Sequence, residues 1–518
     1  MLLTERCLSS LPYFILVVPL AAGLSVYLFC RERDFLRQVL VTLSTIIPLA
    51  LVLLLVPFIQ KGIVLTGKLD LLPPLGFSYR LDRLSLYILV LFVFFGFFVS
   101  LYTQEYMKND NQENSFMAFL LLVLGGCYGV ALSGDFFTFF LFFEFMSLMY
   151  FVLLAHGQHE RSTGASLKFL FMAIIAGVVL FLALVIIYRE TGSLAFGSSG
   201  LITDSSALNM IAFVGFVIAL GIKAALFPLH LWLPDAYTYA PLPAAVISSV
   251  IMLKTGVYGL MRAFGDVFGF AFLKTLDWSQ ALLMLAAVTI LFGSLVALSQ
   301  DDLIRRLAYS GIAQVGYIIL GIALLSETAL IGASYHILAH AFMKGTMFLC
   351  AGSIIKGTGL RKISRLRGVG YRLPVTMICF FIASLTAVGI PPFNIFISKW
   401  FIGMGALESG LPLLVLVLLI SSFLNACYYL PIAINAFLGK KRQLHHLFQD
   451  VQEASLYAAA GLAGQTADLH LGFGGGWAEP PLRMMLPTLV LTLGCVIFGL
   501  LSSNWPLELI KSGLKAFF

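Results

Sequence analysis

From residue 11 almost to the C-terminus the chain is a succession of apolar runs about twenty residues long, separated by short polar breaks. A bilayer core of roughly 30 Å takes about 20 apolar residues of helix, so each run is long enough to span one. Lipid-facing strands would alternate apolar and polar positions, which these runs do not, and a barrel is therefore not expected. The pattern predicts about fourteen transmembrane helices, at approximately 10–30, 36–59, 83–103, 115–133, 134–156, 165–187, 207–228, 243–265, 278–298, 303–325, 328–354, 372–404, 410–438 and 482–503. Helices seven and twelve are interrupted by Pro228 and by the pair Pro391 and Pro392, each of which removes an amide donor inside a span. In a membrane such breaks persist where they face protein or a water-filled cavity, and a matched pair in the two halves of a transporter points to inverted repeats. The alternative is a pair of plain proline kinks. The expected fold is an all-α membrane protein, 1–518 forming a single polytopic domain with two inverted five-helix repeats. Helices 4–8 (115–265) and 9–13 (278–438) are the repeats, with helices 7 and 12 discontinuous, and 439–481 is a polar, Gly-rich cytoplasmic loop.

Charge fixes an orientation. The cluster Arg31, Arg33 and Arg37 follows the first apolar run instead of preceding it, so that run is read as helix one and not as a signal peptide. With the N-terminus outside, loops after odd-numbered helices are cytoplasmic, and about 16 of the 32 Lys and Arg residues fall there against about 10 outside. An even helix count leaves both termini outside, in a multi-pass protein of the cell inner (plasma) membrane. The net charge of +7 is what such a protein carries, and no nucleic-acid partner is expected. Hydrophobic residues make up 60% of the 518 and charged ones only 11%, outside the range of soluble chains. The seven cysteines are scattered with no CxxC or Cys/His cluster, and no GxxxxGK loop is present. No catalytic residue, metal site or cofactor is expected on this chain, so neither electrons nor ATP are expected to be handled on it.

The informative residues are the few charges inside the apolar runs, since each costs on the order of 3 kcal/mol at the bilayer centre. Glu144 is the only charge between Phe136 and Ala155. Lys223 lies five residues before Pro228, Lys254 in the middle of helix eight, and Lys399 in helix twelve. In helix eleven His336, His340 and Lys344 recur every four residues, which places them on one face with slow drift. A membrane lysine near a helix end can simply reach the headgroups, and for Lys168, about one turn inside helix six, that reading stands beside an accessory role. Lys223, Lys254 and Lys399 lie too deep for it. His156, His159, His445, His446 and His470 fall in loops.

Four segments, KAALFPLHLWLPDAY, LIRRLAYSGIAQVGYI, HAFMKGTMFLCAG and GIPPFNIFISKW, occur in this order at family-like spacing. Through them the chain resembles the antiporter-like subunits shared by respiratory complex I, Mrp sodium/proton antiporters and membrane-bound hydrogenases, over roughly residues 80 to 435. The resemblance implies fourteen helices, two inverted five-helix repeats and a row of titratable residues at mid-membrane. It assigns Glu144 and Lys223 as a helix-five/helix-seven pair, Lys254 as the central lysine, His336 and His340 as the helix-eleven histidines, and Lys399 as the terminal residue. Some members carry glutamate at that last position, so the exit chemistry does not transfer from them. The chain is also expected to lack the long lateral helix of the largest members.

The expected mechanism is a relay. A Glu144–Lys223 ion pair opens, and the proton passes by water to Lys254, through the histidines to Lys399, and out. The push would come from a neighbour, because no fuel site is evident here. Two assignments follow: the proton-translocating subunit of a redox-driven complex, complex I-like or hydrogenase-like, or the proton-conducting subunit of an Mrp-type sodium/proton antiporter. Sodium wants several oxygens, and a row of nitrogens with one carboxylate suits protons. Partners are then further membrane subunits, including antiporter-like ones, peripheral redox subunits carrying any iron-sulfur or metal centres, and lipid.

Overall fold

The computed structural model describes residues 2–72, 75–157, 160–197, 200–438, 479–501, 505–515 and 517. Thirteen helices among the described residues are long and apolar enough to cross a membrane, and the chain is an all-α membrane protein. They are α1 (Leu2–Phe29), α2 (Asp34–Gln60), α3 (Arg83–Tyr106), α4 (Glu113–Leu132), α5 (Phe136–Ala155), α6 (Glu160–Thr191), α7 (Ala207–Ala224), the span Leu242–Phe268, α12 (Trp278–Ser299), α13 (Leu303–Ala323), α14 (Glu327–Thr358), α17 (Pro412–Leu438) and α18 (Leu482–Leu500). The predicted twelfth span is built from two shorter helices, α15 (Pro374–Val388) and α16 (Asn394–Glu408). The predicted loop 439–481 lies outside the described residues up to 478.

Polar residues at the ends set where these helices begin. Asp82 and Ser85 form a reciprocal capping box on α3. The Asp135 carboxylate accepts from the Thr138 amide at 2.6 Å to open α5, and Asp302 accepts from Arg305 at 2.9 Å to open α13. The span Leu242–Phe268 is not a regular helix: α9 (Leu242–Ile247) and α10 (Leu253–Arg262) are each followed by π-helical turns, Ser248–Met252 and Ala263–Phe268.

Contacts between loops sort them into two ends. At one end Arg37 pairs with Glu113 at 2.9 Å, His156 with Asp110 at 3.0 Å, and Asp302 bridges to Lys362. At the other end Tyr79 bridges to Ser133 and Asp135 to Ala195, and Arg262 reaches Asp82 at 2.7 Å. Burial then separates centre from rim. The span Leu242–Phe268 and α14 are wholly buried over their apolar windows, whereas α1 and α17 are buried over only 28% of theirs. The two central helices are the ones that carry Lys254 and the His336, His340, Lys344 series.

Several elements escaped the sequence reading. An antiparallel hairpin, β1 (Leu65–Leu72) and β2 (Leu75–Leu81), pairs Leu65 with Leu81 and Thr66 with Arg80. Two short helices, α8 (Leu233–Tyr239) and α11 (Phe270–Lys274), fill loops. The amphipathic helix α19 (Trp505–Leu514) buries Leu507, Leu509, Ile510 and Leu514, and its Ser512 carbonyl accepts from Arg83 at the start of α3. A search tuned to twenty-residue apolar runs passes over elements this short.

Candidate functional site

The row begins on α5. Glu144 is half-buried against α6, where Gly177 makes room: a Cβ at 177 would lie 2.6 Å from Glu144 Oε1. That oxygen has no hydrogen-bond partner. Lys223, buried in the last turn of α7, donates to Ser147 Oγ at 2.6 Å and lies over the rings of Phe143 (4.8 Å) and Phe169 (5.3 Å). The expected Glu144–Lys223 ion pair is therefore not made in this structure. The ammonium is held one turn further along α5, by a hydroxyl and two aromatic faces.

Helix α7 ends because Ala225 turns left-handed, with φ 60°. The carbonyls this releases find partners inside the protein, as they must in lipid. Gly221 O accepts from Leu226 N at 2.8 Å, and Ile222 O accepts from Trp232 Nε1 at the same distance. Within the break lies His230, buried and stacked on Phe227 at 5.5 Å, with Nδ1 unpartnered. The sequence reading did not single it out, although it stands two residues past Pro228. Lys168 neither enters the row nor simply reaches outward. It bonds Asp235 of α8 at 2.8 Å, and Arg305 of α13 takes the other oxygen of that carboxylate at 3.2 Å.

Next along is Lys254, whose Nζ donates to the Ser249 carbonyl in the π turn and meets His340 Nδ1 at 2.8 Å. Lys254 thus turns back onto a carbonyl of the π turn that precedes it on the same span. Lys223 and Lys254 do not touch. Their helices approach at Gly256, where a Cβ would come within 2.8 Å of the Leu220 carbonyl. His340 lies on the face of α14 that carries His336, as the four-residue spacing predicted, and the two rings stack with centres 6.1 Å apart and planes at 12°. His340 Nε2 is buried without a partner. His336 Nε2 meets Gln314 Oε1 at 3.0 Å and Nδ1 meets Ser398 Oγ at 2.8 Å. Ser398 donates its one hydroxyl proton to the Ile395 carbonyl at 2.8 Å and in that orientation accepts from His336 Nδ1–H; donating to an unprotonated Nδ1 requires the hydroxyl to turn away from Ile395.

Lys344 donates its hydrogen bonds to groups other than the histidines. Eight residues past His336 it has rotated about 80° beyond two full turns. It is bound by the Leu307 carbonyl and Tyr429 Oη, both at 2.8 Å, and by Ser310 Oγ. His336 and Lys344 of the expected stripe both reach α13, through Gln314 and through Leu307 and Ser310, and Lys344 adds Tyr429 of α17.

At the far end Lys399 is half-buried on α16, and it bonds the carbonyls of Ala387 (3.2 Å) and Val388 (3.1 Å) and Ser422 Oγ at 2.8 Å. Those carbonyls belong to the last turn of α15, which Gly389 ends at φ 86°, so the cation sits on the negative end of a helix dipole. Pro391 and Pro392 follow in the gap before α16. The Tyr317 ring lies between Lys399 Nζ, at 5.0 Å, and the His336 ring, at 5.4 Å.

A second cluster was missed. Arg262, in the last turn of α10, bonds Asp82 Oδ1 at 2.7 Å, Asp266 Oδ2 at 3.2 Å and Tyr258 Oη at 3.0 Å, and lies over the Phe196 ring. Burial pushes the Asp82 carboxyl up, but the Arg262 charge and hydrogen bonds outweigh it and hold Asp82 well below the usual carboxylate range. The signal was an arginine inside a predicted span.

Fold and row together define a polytopic membrane protein with a chain of titratable groups across its centre. The model of the transmembrane family described as NADH:quinone oxidoreductase/Mrp antiporter matches residues 133–425, and that of the complex I chain 5 N-terminus matches 73–117. The NADH-quinone oxidoreductase subunit N of Desulforudis audaxviator is 36% identical over 442 residues, covering 83% of each chain. A Na(+)/H(+) antiporter subunit of Bacillus subtilis is 27% identical over 481 residues, 92% of this chain and 96% of that one. Among solved structures the Mrp complex from Dietzia sp. DQ12-45-1b matches the fold with a TM-score of 0.84 at 23% identity, over 99% of this chain and 98% of that chain. This chain belongs to the antiporter-like membrane subunit family that complex I-type oxidoreductases, hydrogenases and Mrp antiporters share.

Proposed function

We propose that this chain is the proton-translocating antiporter-like subunit of a redox-driven membrane complex. The observation that carries the reading is the line Lys254–His340–His336–Ser398, continued past Tyr317 to Lys399, on the two wholly buried spans and on α13 and α16 beside them. Every group in it except Ser398 and the Tyr317 ring takes up or releases a proton at nitrogen, and direct contacts join the first four. Glu144 and Lys223 form the feeding end. A buried ammonium keeps its proton with a carboxylate against it and yields it when the carboxylate withdraws. Lys223 moving between Glu144 and Ser147 would make that alternation, with water joining it to Lys254. The π turn at Ser249 and the α15 carbonyls hold the two lysines that must change charge without leaving the membrane.

The breaks after Lys223 and before Lys399 support inverted repeats over helices 4–8 and 9–13. Arg31, Arg33, Lys108, Arg305, Arg306, Lys356, Arg361 and Lys362 collect at the end defined by the 107–112 and 359–373 loops. That supports a cytoplasmic assignment of this end, both termini outside, and a plasma-membrane location. Half-burial of Glu144 and Lys399, the two ends of the row, fits neighbouring membrane subunits on either side. Peripheral redox subunits would hold any iron-sulfur or metal centre, with none on this chain.

The second reading is a proton-conducting subunit of an Mrp-type antiporter, favoured by the near full-length match to the Bacillus subtilis antiporter chain. The intact complex in liposomes with an internal pH dye tests both. Lys223→Ala and Glu144→Ala are expected to abolish proton movement while leaving assembly intact. Redox turnover driving that movement identifies the first reading, a sodium gradient the second, and unchanged movement in both variants overturns the conducting row.

A further inference from the structure

We propose that the end of the bundle where α1, α2 and α4 meet binds one phospholipid whose headgroup carries both an ammonium and a phosphate, with an acyl chain in a groove between α1, α4 and α5. A polar cavity of about 780 Å3 opens there, bordered by Arg31, Asp34, Arg37, Lys108, Asp110 and Glu113. An apolar groove of about 520 Å3 adjoins it, lined by Leu20, Leu24, Phe119, Leu122, Phe145 and Met149. Tyr27 borders both, its ring edge-on to Phe119 at 5.9 Å. A polar chamber that continues into an apolar slot along the membrane-spanning surface has the shape of an amphiphile, and a tyrosine at the junction is the usual marker of the membrane–water interface.

The lining selects the headgroup. Three cations and three carboxylates border the cavity, so a purely anionic headgroup would meet as much repulsion as attraction. Arg37 is only 5% exposed; its NH2 nitrogen is taken by Asp34 (3.0 Å) and Glu113 (2.9 Å), while its Nε has no partner. The exposed Arg31, and Lys108 on the same rim, offer donors to a phosphate, and Arg37 behind them adds its positive charge from a buried position. Asp34, whose side chain is 77% exposed, offers an acceptor to an ammonium. From Tyr27 to Leu20 the groove runs seven residues of helix, about 10 Å, most of the roughly 15 Å that one leaflet's hydrocarbon occupies. Its floor includes Phe145, adjacent to Glu144 on α5, so the chain would lie against the helix that feeds the row. Lipid binding at this site does not depend on whether the row conducts protons.

The test counts lipids on the intact complex, purified in mild detergent supplemented with equal phosphatidylethanolamine and phosphatidylglycerol. Leu24→Trp, at a position 56% exposed, fills the groove; Leu182→Trp, 57% exposed on α6, is the control; Asp34→Lys removes the ammonium acceptor. Native mass spectrometry is expected to find one phosphatidylethanolamine fewer per chain in Leu24→Trp than in wild type or Leu182→Trp. Asp34→Lys, which also breaks the Asp34–Arg37 pair and leaves Arg37 to Glu113, is expected to shift retention several-fold toward phosphatidylglycerol. Equal phosphatidylethanolamine in Leu24→Trp and wild type overturns the site, as does a neighbouring subunit's helix seated in the groove of the assembled complex. Wild type retaining phosphatidylglycerol in preference overturns the headgroup assignment.

Discussion

Ser147→Ala isolates the step on which the proposed mechanism turns. The hydroxyl accepts from Lys223 Nζ at 2.6 Å and donates to the Phe143 carbonyl at the same distance, both inside the bundle. The Phe143 carbonyl keeps its helical partner when the hydroxyl goes, so the main loss is one charge-assisted hydrogen bond, about 1.5–3 kcal/mol. At roughly 1.4 kcal/mol per factor of ten, the arrangement with Lys223 away from Glu144 becomes about 10- to 100-fold less populated. The ammonium then falls to Glu144, whose Oε1 is buried without a partner. Proton movement by the assembled complex in liposomes is expected to drop about tenfold or more, with assembly unchanged because no packing atom larger than an oxygen is removed. Ser147→Thr keeps the hydroxyl and is expected to retain most of the rate. Movement by Ser147→Ala within twofold of wild type, at normal assembly, would refute the idea that Lys223 is handed between Ser147 and Glu144.

Four further outcomes are expected. In Gly177→Ala the new Cβ meets Glu144 Oε1 at 2.6 Å against the 3.4–4 Å of an ordinary contact, so the carboxylate must shift by about 1 Å; translocation assays should show a loss of about tenfold or more, since misplacement on that scale costs up to ~100-fold. Lys399→Glu sets a carboxylate against the Ala387 and Val388 carbonyls, acceptor facing acceptor, and should lower the thermal unfolding temperature of the complex and stop transport together. Arg262→Ala strands the Asp82 and Asp266 carboxylates and should destabilise the fold by about 3–5 kcal/mol, read as a large drop in melting temperature that Arg262→Lys partly restores. The Asp82 carboxyl is depressed, so its contribution is complete above the unfolded carboxylate value of about 3.9 and is lost as pH falls through the lower folded value; melting temperature should show no Asp82-dependent change between pH 5 and 7, checked against Asp82→Asn.

What the sequence determined by itself is whatever follows from one-dimensional spacing. Apolar run length placed every span, because a bilayer demands about twenty apolar residues whatever the neighbours are. The prolines located both helix breaks, because a missing amide is a local property. The cost of burying charge singled out Glu144, Lys223, Lys254, His336, His340, Lys344 and Lys399 as candidates, and the four-residue spacing put the two histidines on one face, where their rings stack. Hairpin β1–β2 and helix α19 went unseen, since their short alternating and amphipathic patterns carry weight only against the surfaces they cover. Partnership was decided by tertiary structure alone. Lys223 chose Ser147 over Glu144, Lys344 bonded Leu307 and Tyr429, and Lys254 turned back onto a carbonyl in a π turn that no spacing announces. A hydrogen bond is fixed to within a few tenths of an ångström and by direction, whereas sequence periodicity fixes only which face of a helix a side chain leaves from.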